Sequence, residues 1–145
     1  MSDLPYIEMA HLKLTKSVFT VNSGHGNEEQ FALGISLKNS GDFIDDGRRA
    51  IFSQYLKTVT FQDAPFFLEV EFEAVFILDP PPMPLERPHC VNQVFPRIVF
   101  PYMREYVAET TRRGGFMPLL LNHSVFDEKN ETRTSSDDEK PKWMH

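Results

Sequence analysis

The residues of this chain that could do chemistry are one cysteine, five histidines and a row of three glutamates. Cys90 would need a paired histidine, a cation or a helix N-terminus to form a reactive thiolate, and no motif supplies one. The histidines, at positions 11, 25, 89, 123 and 145, include no pair at the spacing of metal ligands. A buried or bystander thiol is therefore favoured, and no metal site is expected.

The three glutamates, Glu69, Glu71 and Glu73, share one face of a strand because side chains alternate along a strand. Such carboxylates could serve acid–base chemistry, dock a basic partner, or face solvent. The chain has no Gly-rich phosphate loop, no GxSxG motif and no HExxH motif. A solvated face is favoured, docking is the functional alternative, and neither an enzyme activity nor a cofactor is expected.

The length and charge of the chain restrict its class. Its 145 residues suffice for one domain with one core. A net charge of −6 argues against nucleic acid and anionic lipid, because both bind clustered Lys and Arg. The start of the chain lacks the pattern of a signal peptide, and no segment approaches the roughly 18 apolar residues of a membrane span. We therefore expect a soluble, cytoplasmic protein without an internal disulfide.

Apolar and polar residues alternate in four segments, which predicts four strands. The first segment loses its phase near Lys16 and Ser17, which predicts a bulge. The last two are joined by a short link at 63–65, typical of a hairpin, whereas 39–47 is predicted to be a turn-rich connection. Four strands followed by a helix predict an α+β fold, an antiparallel sheet with its helical part on one face. The strands are predicted at 9–21, 31–38, 51–62 and 66–78.

A helix is predicted after the strands. Pro101 suits the first turn of a helix, where its fixed φ and missing N–H cost nothing, so the helix is predicted to begin near it. Glu109 stands four residues before Arg113 in the favoured orientation, and Gly114 and Gly115 can adopt the left-handed conformation that ends a helix. The helix is therefore predicted to end at Arg113.

Two segments flank this helix. Residues 79–88 contain five prolines, which predicts an extended, stiff crossover rather than a strand interior or a helix. A polyproline ligand for an aromatic groove is the less favoured interpretation. From Asp127 onward the sequence is almost wholly polar, so 128–145 is predicted to be a disordered tail and 1–127 to be the folded domain.

The segment 89–127 carries an ordered series of residues, namely His89-Cys90, Pro96, Ile98, Phe100-Pro101-Tyr102, Arg104-Glu105, Arg113-Gly114, Phe116 and Phe126-Asp127. This series resembles the SecB export chaperones. The sequence FLEVEFEAVFIL within the strand at 66–78 is similar to that family's fourth strand.

The resemblance implies a four-stranded antiparallel sheet with a long helix, assembled as a homotetramer made of two dimers. It implies a holdase, a chaperone that keeps unfolded proteins or preproteins in hydrophobic grooves without ATP or metal and passes them to the SecA translocase. We expect the client groove to be formed by apolar residues around the crossover and the helix, namely Met83, Leu85, Val94, Phe95, Phe116, Met117 and Leu119.

The resemblance also implies a docking site for the motor at Phe67 and Glu69. The family's acidic docking residues near the bulge are missing here, where the chain reads Lys16-Ser17-Val18-Phe19. After Asp127 the family continues into a second amphipathic helix, whereas this chain is polar, so that helix is expected to be short or missing.

Self-association is also expected, because strand edges and a strand with two apolar faces need cover, and Val70 and Phe72 are the expected interface residues. The alternative function is a dedicated chaperone of a toxin–antitoxin system that binds an aggregation-prone antitoxin. A metabolite-binding or catalytic α+β domain is the alternative from another class, and only an apolar groove and Cys90 support it.

Overall fold

The computed structural model describes residues 6–22, 33–60 and 64–122. These residues form a four-stranded sheet in the order β1-β4-β3-β2, with every neighbouring pair antiparallel, and a long helix. The predicted α+β fold is confirmed. The strands are β1 (Tyr6–Val21), β2 (Leu33–Ile44), β3 (Arg49–Thr60) and β4 (Phe66–Asp79). The predicted tail at 128–145 and the question of a second helix lie outside the described residues.

Strand β1 contains the predicted bulge and one further irregularity. Its register against β4 shifts between Leu14 and Lys16, and again between Met9 and His11. Each shift inserts one extra residue into β1, at Thr15 and Ala10. Side chains of a strand point alternately to its two faces, so one extra residue moves the apolar side chains that follow it from one face to the other. The bulges thereby keep the apolar residues of β1 on the same face despite the break in their alternation.

The predicted turn-rich connection at 39–47 is wrong, because β2 continues to Ile44 and only Asp45–Gly47 form a 3-10 turn. The polar residues that suggested a turn are used inside the sheet. The Gln54 side chain on β3 donates a hydrogen bond of 3.1 Å to the Asn39 side chain. A Cβ atom placed on Gly41 would lie 3.1 Å from the Val91 side chain, so a larger residue at this position would crowd the helical segment that packs above it.

The helical region begins earlier than predicted. A 3-10 turn at Pro84–Glu86 leads into α1 (Arg87–His89), a π-helical turn (Cys90–Val94) and α2 (Phe95–Arg113). The proline in the first turn of α2 is Pro96. Pro101 lies inside the helix, on the side that is exposed to solvent. The crossover is therefore extended only as far as Met83.

The π-helical turn has a cause in the sequence. Pro96 has no N–H to donate, and in a regular α-helix its ring would clash with the carbonyl four residues earlier. The wider turn, in which the Phe95 N–H bonds the Cys90 carbonyl, relieves that clash.

Helix α2 crosses one side of the sheet diagonally, and we call that side the helix face. Its first turn stacks Phe95 on Phe76 of β4, with ring centroids 4.2 Å apart. Further along, the Tyr106 hydroxyl lies 2.6 Å from the Ser17 hydroxyl of β1. The core between the helix and the sheet contains fully buried side chains from β3, β4 and α2, namely Phe52, Leu56, Leu68, Val70, Phe76, Phe95, Val99, Phe100, Met103 and Val107.

The end of α2 at Arg113 is confirmed. The Gly115 N–H bonds the Arg112 carbonyl at 3.0 Å, and the Phe116 N–H bonds the Thr111 carbonyl at 3.1 Å. Gly115 has φ +94°, the left-handed conformation that glycine adopts without a steric cost. None of the helices formed by the described residues is long and apolar enough to cross a membrane.

Candidate functional site

The side of the sheet opposite α2, which we call the open face, carries alternate residues of all four strands. Because directly paired residues of an antiparallel sheet point to the same side, the strand register defines its members. They are Tyr6, Glu8, His11, Lys13, Lys16, Val18 and Thr20 of β1; Phe67, Glu69, Glu71, Glu73, Val75, Ile77 and Asp79 of β4; Arg49, Ile51, Ser53, Tyr55, Lys57 and Val59 of β3; and Gly34, Ser36, Lys38, Ser40, Asp42 and Ile44 of β2.

The charges on the open face nearly balance. The three glutamates of β4 occupy the centre, and cationic side chains of β1, β2 and β3 flank them. With the histidine neutral, six carboxylates and five cations give this face a formal charge of −1, so it is not a strongly acidic surface. The carboxylates are Glu8, Asp42, Glu69, Glu71, Glu73 and Asp79, and the cations are Lys13, Lys16, Lys38, Arg49 and Lys57.

Glu69 is held by two partners. The Tyr55 hydroxyl donates a hydrogen bond to its carboxylate, and the Lys16 ammonium lies 3.1 Å from it. These partners, the tyrosine first, hold the pKa of Glu69 below its ordinary value. The same hydrogen bond, together with burial, raises the pKa of Tyr55 to about 12. Only 15% of the Glu69 side chain is exposed, so its charge is satisfied largely within the chain.

The other two glutamates also have partners on β1. The Lys13 ammonium lies 3.5 Å from Glu73, and the hydroxyl of the bulged Thr15 donates a hydrogen bond of 2.8 Å to Glu71. The row of carboxylates therefore forms cross-strand pairs, each with a different group of β1. Sequence reasoning missed Thr15, Lys16 and Tyr55, because only the strand register brings them to the glutamates.

The structure brings the two predicted docking residues together. Phe67 and Glu69 lie two residues apart on the open face of β4. Phe67 is half-buried and pairs with Thr20 of β1, and Glu69 pairs with Val18. A carboxylate and an aromatic ring are therefore neighbours, with apolar side chains beside them.

The predicted groove residues divide into two groups at opposite ends of α2. The 19 residues of that helix correspond to a length of about 28 Å. Met83 and Leu85 of the crossover are exposed, and Leu85 is 94% exposed. Beyond the helix, Met117 is exposed, whereas Phe116 packs on Phe66 with ring centroids 4.9 Å apart. A single chain therefore presents two separate apolar sites.

Two of the predicted groove residues belong to the core. Phe95 is fully buried among Phe43, Phe52 and Phe76. Leu119 is also buried, and its backbone N–H donates a hydrogen bond of 2.9 Å to the Thr111 hydroxyl. Val94 is half-buried at the end of the π-helical turn. Exposed apolar groups that are not among the predicted groove residues include Tyr102 and Leu120.

The predicted interface residues, Val70 and Phe72, lie on the helix face rather than on free surface. Both are buried within the chain, and the Phe72 ring meets the Tyr106 ring edge-on with centroids 5.9 Å apart. The chain's own helix covers them, so the structure assigns them to the core. The other side of β4 carries apolar groups at its ends, where Phe67, Val75 and Ile77 lie, with the three glutamates between them.

These features define a class of protein, an α+β domain whose sheet has one face under a diagonal helix and one face open. The solved structure of a SecB-like chaperone from Mycobacterium tuberculosis, in complex with a peptide from an antitoxin, has this fold. It matches with a TM-score of 0.62 and 19% identity, covering 80% of this chain and 88% of that chain. At this identity the likeness bears on the fold alone.

The family model described as preprotein translocase subunit SecB matches residues 20–135, and this chain therefore belongs to the SecB family. The protein-export protein SecB of Dinoroseobacter shibae is 36% identical over 105 residues, which are 68% of this chain and 48% of that protein. Protein-export protein SecB 1 of Gluconobacter oxydans is 43% identical over 56 residues, 39% of this chain and 32% of that protein. The match to these two relatives thus spans less than half of their length.

Proposed function

We propose that this chain is a holdase chaperone that binds unfolded proteins or preproteins without ATP and delivers them to the SecA translocase of the export machinery. The observation that carries the proposal is the exposed apolar surface at both ends of α2. Met83 and Leu85 provide it at the crossover, and Met117 and Leu120 provide it beyond the helix. The names of its relatives, protein-export protein SecB, support the same function.

The energy for such binding comes from removing apolar surface from water. Burying a Met or Leu side chain contributes about 1.5–3 kcal/mol, and no bound nucleotide or metal is needed for it. Methionine is flexible and fits irregular partners, which suits a surface that must accept unrelated sequences. The two sites, about 28 Å apart along the helix, suit an extended client of roughly nine residues or more.

Assembly and motor docking belong to the same proposal. The edges of β1 and β2 have no neighbouring strand among the described residues, and pairing between chains would cover such edges in a homotetramer built as a dimer of dimers. We assign motor docking to Phe67 and Glu69, since they combine an apolar ring and a carboxylate on the open face.

The experiment is suppression of aggregation of a chemically unfolded client without ATP. A Met83→Ser/Leu85→Ser variant should lose most of this activity while its thermal transition stays unchanged, because both side chains are exposed. Ile51→Ser, a change of an exposed apolar residue on the open face, is the matched control and should retain it. A double variant that protects the client as well as the unchanged chain does would refute the crossover as a client site.

The second candidate function is a dedicated chaperone of a toxin–antitoxin system. Two observations favour it, namely that the solved SecB-like chaperone binds an antitoxin peptide and that Glu69 is already engaged within this chain. Binding of SecA and of unfolded antitoxin segments can be compared side by side. Tight binding of SecA supports the export function, whereas binding of an antitoxin segment far above that of unrelated preproteins supports the dedicated one.

A further inference from the structure

We propose that Lys16 is a specificity-determining residue of the open face. As the intrachain counterion of Glu69, it forces a basic partner segment to compete for that carboxylate. The inference rests on the proposed docking role of Phe67 and Glu69, and it is independent of client holding.

The geometry around Lys16 depends on the second bulge of β1. In the strand register Lys16 is paired with Glu71, yet its ammonium contacts Glu69, one position further along the same face of β4. The bulged residue Thr15 donates its hydroxyl to Glu71 instead. A bulge re-aims the side chains beside it, and here the result is that Lys16 reaches the carboxylate next to Phe67.

The surroundings of Glu69 define the chemistry of a partner. Val18 of β1 and Lys57 of β3 are paired with Glu69 across the sheet, and Phe67 is its neighbour along β4. Two apolar side chains therefore lie beside the carboxylate, and Lys57 is a second cation, whose charge acts on Glu69 in addition to the contact with Lys16. A segment with a cation beside an apolar side chain would complement this combination. An arginine is favoured over a lysine, because its guanidinium can form two parallel hydrogen bonds with a carboxylate and thereby displace an ammonium.

The competition is adjustable because Lys16 itself is accessible. Its side chain is 48% exposed, so its ion pair with Glu69 is weak and is screened by salt. The lysine therefore does not block the carboxylate permanently. It weakens the binding of any basic segment, because the segment must first displace the lysine from Glu69. A segment that combines an arginine with apolar side chains is therefore the partner that binds most readily.

The test measures binding of a short peptide of alternating arginine and leucine, with an acidic peptide of the same length as control. Lys16→Ser should raise affinity about fivefold at low salt, the effect of removing one exposed counterion. Lys13→Ser makes the same charge change on the same face but frees Glu73 instead, so it should raise affinity less than about twofold. Adding Glu69→Gln to Lys16→Ser should abolish the gain.

Three results would overturn the proposal. Equal gains from Lys16→Ser and Lys13→Ser would mean that only net charge matters. A gain that persists with Glu69→Gln would mean that the peptide binds elsewhere, and no gain from Lys16→Ser would mean that the lysine does not compete. Client holding by the Lys16→Ser variant, measured in parallel, should equal that of the unchanged chain. Absence of holding in both proteins would instead refute the proposed chaperone function.

Discussion

The helix face and the open face share the same four strands, yet they depend on different interactions. Along β4, every second side chain from Phe66 to Leu78 is buried against α2 and its surroundings, while the residues between them are only half-buried. The helix face consists mainly of aromatic and aliphatic groups, whereas the centre of the open face consists of paired charges. The alternation of one strand thus separates residues that determine stability from residues that can select a partner.

The largest effect should follow from truncating the aromatic cluster on the helix face. Phe95→Ala leaves a cavity between Phe52 and Phe76 and should reduce the free energy of unfolding by about 3–5 kcal/mol. Chemical denaturation measures it. Leu85→Ala is the control, since that side chain is exposed, and it should change the same quantity by less than about 0.5 kcal/mol. Similar losses from both variants would contradict the division between core and client site.

The next effect concerns the contact between the end of α2 and β1. A Cβ on Gly114 would lie 2.4 Å from the Phe19 ring, so the ring or the helix must shift. Gly114→Ala should therefore cost about 1–3 kcal/mol. Gly115→Ala has free space around it, and only its left-handed φ is unfavourable, so it should cost about 1 kcal/mol. If Gly115→Ala proves the more harmful, backbone strain rather than helix–strand packing limits this site.

The open face should respond to pH. Because the pKa of Tyr55 is raised to about 12 from 10.0, its contribution to stability is complete below pH 10 and is lost as the pH rises through about 12. Glu69 behaves in the opposite way because its pKa is lowered. Its contribution to stability is present above pH 4.5, the ordinary pKa of a glutamate, and is lost as the pH falls through the lower pKa that it has in the folded protein. Ultraviolet titration of the tyrosines checks the first statement.

The matched variants in that titration are Glu69→Gln and Glu73→Gln. Removing the Glu69 charge should bring the pKa of Tyr55 back toward 10, since the hydrogen bond to that carboxylate is the largest cause of the shift. Glu73→Gln should leave it unchanged. An unchanged high pKa in Glu69→Gln would attribute the shift to burial alone.

The sequence was most informative where a pattern is local. Alternation predicted β4, the loss of phase predicted the bulge near Lys16, and Gly114 with Gly115 predicted the end of α2. The polar run at 39–44 was misjudged because its Asn39 acquires a hydrogen bond from Gln54 only once β3 is alongside. The start of the helix was misjudged because a π-helical turn accommodates Pro96, and a single proline does not reveal such a turn.

The candidate sites show the same division between local and long-range information. Exposure of Met83, Leu85 and Met117 is consistent with the predicted client surface, whereas Phe95 and Leu119 turned out to be core. Apolar residues of core and groove look alike in a sequence, and only the path of α2 distinguishes them. The Lys16–Glu69 pair depends on residues about fifty positions apart and on the bulge at Thr15, just before Lys16, so neither residue alone predicted it.

The smallest effect should come from the most exposed pair on the open face. Lys13 is 70% exposed and lies 3.5 Å from Glu73, a geometry in which water and salt screen most of the attraction. Lys13→Ala should therefore change the free energy of unfolding by about 0–1 kcal/mol, and 1 M salt should reduce the difference further. Denaturation at low and high salt measures it. A larger cost that salt does not reduce would mean that Lys13 contributes by packing its aliphatic chain on the sheet rather than by its charge.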